Sequence, residues 1–107
     1  MSLKEKIVYF EVKMFNSLSN VYNLLKTLQR QGHNVDEAIK EFIRFYRLIK
    51  NRENTFMIST EYKKLYAILN DIKENLCEGD AKIQLNKDIS TICCKSDALD
   101  VLRMEDM

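Results

Sequence analysis

Apolar residues recur along this chain at intervals of three and four. Ile7, Phe10, Met14, Leu18, Val21, Leu25 and Leu28 form the first such series. That spacing lines one side of an α-helix and predicts a helix from about Leu3 to Gln31. The segment FEVKM competes locally, because it alternates apolar and charged residues and contains types that favour strands. The series continues unbroken to Leu28, so Leu3–Phe15 is assigned to the helix and not to a strand.

Three further series follow. Val35, Ile39, Phe42, Tyr46 and Ile49 predict a second helix from Val35 to about Asn51. Tyr62, Leu65, Leu69, Ile72 and Leu76 predict a third, with Ser59 or Thr60 as its N-cap. Leu85, Ile89, Ile92, Leu99 and Leu102 predict a fourth, from Ala81 to about Met104. It is either one helix or two, since Ser96 before Asp97 is a second N-cap signal. The closing RMEDM is expected to fray.

The punctuation between these series is sparse. Gly32 lies just past the first, where a left-handed cap suits glycine. Asn34 is placed to cap the second helix, and Glu37, three residues on, to complete a capping box. His33, the lone histidine, falls between the two caps and reads as a corner residue. The polar NRENT is the second turn. Gly79 is expected to end the third helix, with Asp80 capping the fourth. Short connections make neighbouring helices antiparallel. The expected fold is all-α: an antiparallel up-down helical bundle of three to four main helices with coiled-coil-like packing, a single domain over residues 1–107.

Composition agrees with that pattern. The 107 residues include no proline and two glycines, whereas turn-rich β folds use both freely. Apolar residues make up 46% and charged residues 31%, a balance typical of globular chains rather than disordered ones. The net charge of +1 supplies no global field toward nucleic acid or a membrane. The start, MSLKEKIVYF, is too charged for a signal peptide, and no apolar run approaches the ~20 residues of a membrane span. An intracellular location, cytoplasmic or nuclear, is expected. Cys77, Cys93 and Cys94 are odd in number with two adjacent, which suits free thiols in a reducing compartment better than a disulfide framework.

Catalytic patterns are missing. Two isolated glycines cannot build a phosphate loop, and one histidine is too few for the common zinc patterns. Sixteen acidic residues offer many accidental pairs, and none is marked by apolar surroundings. The chain is therefore expected to be no enzyme, with no cofactor and no metal.

Two surfaces remain. On the first helix, Val8, Val12 and Phe15 form a second apolar series, flanked by Tyr22, which widens the apolar arc. Such a helix is either packed by two neighbours or has an external partner. On the second helix, Lys40, Arg44 and Arg47 fall within about 60° of arc opposite the apolar side, and Lys50 and Arg52 extend the charge. That face suits phosphate contacts, although basic residues late in a helix also complement its dipole. The leading expectation is a non-enzymatic interaction module, a small subunit or adaptor. Its partner is another protein or a second copy, bound through Val8, Val12, Phe15 and Tyr22. The alternative is a nucleic-acid- or ribonucleoprotein-associated protein using the basic face.

Overall fold

A computed structural model describes the backbone of residues 2–51 and 53–106, and side chains through Cys93 except that of Thr55. The described residues form four helices and no strand: α1 (Leu3–Arg30), α2 (Asp36–Lys50), α3 (Thr55–Leu76) and α4 (Gly79–Asp106). α1 packs most extensively on α4 and α2 on α3, while α1 with α2 and α3 with α4 are looser neighbours. Among the described residues no diagonal pair of helices is in contact, so the helices form a ring of four around one core. The 28 residues of α1 span about 42 Å at 1.5 Å per residue, close to the 45 Å long dimension of the molecule. The expected all-α up-down bundle is what forms.

The periodic residues build the core. Met14, Leu18, Val21 and Leu25 of α1 are enclosed with Phe45 of α2, Ile58 and Leu65 of α3, and Leu85 and Ile92 of α4. Helix one is helical throughout, which settles Leu3–Phe15 against the strand alternative. Leu99 and Leu102 lie outside the described side chains.

The α1–α2 corner is a Schellman turn. His33 N–H donates to Leu28 O at 3.0 Å and Gly32 N–H to Gln29 O at 3.1 Å, with Gly32 at φ 93°. The expected capping box does not form. Val35, not Asn34, holds the N-cap position and makes no side-chain cap bond. Val35 is buried, and the Schellman turn sets Asn34 one residue too early. Its Oδ1 accepts only a long 3.4 Å bond from Asp36 N–H.

The other boundaries also correct the expectation. α3 begins a full turn before Ser59, because Asn54 caps it, accepting from Met57 N–H at 2.9 Å. The earlier start carries Ile58 into the core. α3 ends at Leu76, where Cys77 turns extended and tucks its thiol inside. Gly79, at φ 57°, therefore opens α4 instead of closing α3, and Asp80 falls within the first turn of α4, where its charge suits the helix dipole. The break weighed at Lys95–Ser96 does not occur: α4 is one helix.

Besides Ser17, two carboxyl-bearing residues are buried where the periodic pattern shows only apolar positions. Asp88 of α4 is buried and accepts from Asn20 Nδ2 of α1 at 3.3 Å and from Gln84 Nε2 at 3.2 Å. Glu61 of α3 is only 5% exposed and faces Glu41 of α2. Burial pushes the Glu61 carboxyl up, and the hydrogen bond and charge of Glu41 add to this. Glu41 moves down, chiefly through its hydrogen bond with Glu61; burial opposes this, and the nearby Arg44, Lys64 and Lys40 each add a smaller lowering effect. The two carboxyls face each other across the α2–α3 seam, where Glu41 Oε2 and Glu61 Oε1 are buried without a hydrogen-bond partner among the described residues. Sequence alone singled out no carboxylate pair; the fold singles out this one.

Candidate functional site: the groove between the first two helices

The second apolar series of α1 faces α2. Phe15 meets Tyr46 edge-on, with ring centroids 5.7 Å apart and planes at 66°. Tyr22 meets Phe42, also at 5.7 Å but with planes tilted by 31°. As the α1 member of the pair advances, the α2 member retreats, which fixes the antiparallel register. One turn before Phe15 lies Val12. Val8 lies a further turn out. Both lie on the arc of α1 that carries Ser19, and this arc is exposed even where α2 runs alongside.

The series is thus divided by its angle to the core stripe, with Phe15 and Tyr22 nearer to Leu18 round the helix than Val8 and Val12. Phe15 and Tyr22 are half-buried against α2, whereas Val8 is 56% exposed and Val12 51%. Tyr9, beside Val8, is exposed as well, and the two share a shallow depression with Lys4 and Glu5.

Where α1 and α2 do meet, they leave a groove of about 390 Å³, lined by Phe15, Leu18, Ser19, Tyr22, Phe42, Ile43 and Tyr46. None of these residues is charged. Cations stand at its margins: Lys26 Nζ lies 5.7 Å from the Tyr22 ring centre, and Lys50 Nζ lies 6.0 Å from that of Tyr46.

The basic face of α2 adjoins this groove. Lys40, Arg44, Arg47 and Lys50 are all exposed, and the first three line a depression of about 300 Å³ with Ile43 and Leu48. Ile43 belongs to both hollows, so it forms the ridge between the aromatic groove and the cations. Arg44 also holds Glu41 at 3.8 Å. Arg52 lies outside the described residues.

Sequence reading did not assemble this groove. It assigned Phe42 and Tyr46 wholly to the core and passed over Ser19, Lys26 and Ile43. Ile43 carried a usable signal, as an isoleucine set among Lys40, Arg44 and Arg47 on an otherwise charged arc.

Among the described residues no group of three His, Cys, Asp or Glu side chains is placed to hold a metal ion. Cys77 and Cys93 are free thiols, and burial raises Cys77, partly offset by Lys82. No described helix is long and apolar enough to cross a membrane. Comparison with protein-family models, curated proteins and solved structures finds no match.

Proposed function

We propose that this protein is a non-catalytic helical interaction module, a small subunit or adaptor that docks a protein partner along its first helix. The observation that carries this reading is the divided apolar series: Phe15 and Tyr22 wall an open aromatic groove, and Val8 and Val12 continue its line uncovered. Covering apolar side chains of this kind gains roughly 1.5–3 kcal/mol for each one fully buried. Several together outweigh part of the cost of association.

The test is the double variant Val8→Asp/Val12→Asp. Both side chains are exposed, so the fold should stand, with unchanged helical circular dichroism. A partner identified by affinity purification of the wild type should be lost, or a self-associated particle should become smaller by light scattering. A folded variant with unaltered mass and undiminished partner binding would sink the reading.

A second reading has its own observation: Lys40, Arg44 and Arg47 line one hollow and are all exposed. On that reading the face contacts nucleic-acid phosphates. Binding should then weaken steeply with salt, and each neutralised contact should lower the log–log slope by about 1. Absence of a mobility shift even at low salt removes this reading.

A further inference from the structure

We infer that the occupant of the α1–α2 groove is an acidic amphipathic helix contributed by a partner protein; this rests on the interaction-module reading and names the partner's chemistry. Shape and charge both argue for it. From Val8 to Tyr22 the apolar line runs fourteen residues along α1, about 21 Å, which matches four turns of a helix. Its inner part is the aromatic groove, and its outer part is the valine pair that α2 leaves uncovered. A docked helix would lie beside α2 and extend the packing over both valines.

The rim selects the sign of charge. None of the seven lining residues is acidic. Lys26 and Lys50 stand over the two tyrosine rings that wall the groove, one toward each end. Beyond the Ile43 ridge lie Lys40, Arg44 and Arg47 in one hollow. Glu41, the carboxylate nearest to Arg44, is turned toward Glu61 on the far side of α2. A helix presenting leucine or isoleucine to the groove, with glutamate or aspartate flanking, meets apolar surface below and cations on its borders. Complementary charge of this kind sets partner choice and approach rate more than raw affinity, and like charges are rejected. A second copy of this chain is a poorer fit, because its own exposed apolar line on α1 is bordered by both signs, Glu5 and Glu11 as well as Lys4 and Lys26, and offers no wholly acidic flank.

The test uses the full chain and two fluorescein-labelled helical peptides of about 18 residues. Both carry the same leucine seam; one has glutamate flanks and the other lysine flanks. Fluorescence anisotropy should show the glutamate peptide bound at least tenfold more tightly. Ser19→Glu, an exposed change at the groove, should weaken it tenfold or more without altering the helical signal. Lys40→Gln/Arg47→Gln/Lys50→Gln should erase the preference between peptides. Equal binding of both peptides, weakened alike by Ser19→Glu, overturns the acidic partner but leaves the docking reading standing. Glutamate-peptide binding indifferent to Ser19→Glu, or displaced by an oligouridine that binds with equal affinity, also overturns the inference. If neither peptide binds and the protein sediments as a dimer that Ser19→Glu dissociates, the occupant is a second copy and only the inference falls. If neither binds and the protein is monomeric, the inference and the docking reading fall together.

Discussion

The two halves of α1 carry the same kind of sequence and meet different fates. From Phe15 onward, apolar residues on two adjacent arcs find α4 and α2 to cover them. Before Phe15, Val8 and Val12 stand open. Nothing in their side chains distinguishes Val8 or Val12 from a core valine such as Val21, which is wholly enclosed. What differs is the side of the helix: at 100° per residue Val12 lies about 180° and Val8 about 140° round α1 from Val21. Amphipathicity says how much apolar surface a helix has; the directions from which its neighbours approach say how much of it is left over.

The largest effect that sharpens this contrast is truncation in the covered half. Leu25→Ala should cost about 2–5 kcal/mol by urea unfolding, as is usual where a cavity is left in a core. Val8→Ala should change stability by no more than about 0.5 kcal/mol, the range of exposed sites. Comparable losses at the two positions would break the division.

The corner that sets where α2 runs along α1 comes next. At Gly32 nothing lies within 4 Å of an added Cβ, so Gly32→Ala meets no clash, only the cost of φ 93°. A loss of roughly 1–2 kcal/mol is expected, the usual penalty for a left-handed residue with a Cβ. Retained full stability would mean that the corner does not hold the register.

A smaller effect tests the inner edge of the division. A double-mutant cycle on Phe15 and Tyr46, each changed to alanine, should return a coupling of about 0.5–1.5 kcal/mol for the edge-on ring pair. Zero coupling would place Phe15 with the uncovered valines instead.

The smallest effect is confined to a pH window and concerns the other side of α2. Because the folded-state Glu61 carboxyl titrates above 4.5, its contribution to stability is complete below pH 4.5 and fades as pH rises through its raised value. Glu41, lowered, acts in the opposite sense and loses its contribution only as pH falls below 4.5. Glu61→Gln cannot titrate and still offers Glu41 a donor. Its melting temperature should therefore gain on the wild type as pH rises above 4.5, with a constant offset at lower pH. Parallel melting curves over that range would show that Glu61 is charged in the folded protein.

The architecture was legible because the apolar periodicity reports directly on which side of each helix is buried. Ile7 to Leu28, Val35 to Ile49, Tyr62 to Leu76 and Leu85 to Ile92 all face inward as their spacing requires. Boundaries were harder. Asn54 and Ser59 both carry cap chemistry, and the choice between them was made by burial of Ile58, a tertiary fact. Gly79 advertised a left-handed residue without saying which helix it served. The site was half legible. Its α1 side stood out as a surplus of apolar positions, but its α2 side did not, because Phe42 and Tyr46 serve core and groove at once. Glu61 and Asp88 were invisible for a similar reason: a polar residue at a helical position reads as solvated until its neighbours are known.

The pairing of α1 with α4 also has a consequence during synthesis. Asn20 and Asp88, which hydrogen-bond across that seam, are 68 residues apart. At a translation rate of about 5–20 residues per second, α1 leaves the ribosome several seconds before its principal partner exists. The α2–α3 hairpin, whose contacts are local, can form in that interval, but the side of α1 that awaits α4 stays uncovered. Nascent chains halted before α4 should therefore aggregate or recruit chaperones through the core face of α1, which carries Met14, Leu18 and Val21, a vulnerability that disappears once the ring of four helices closes.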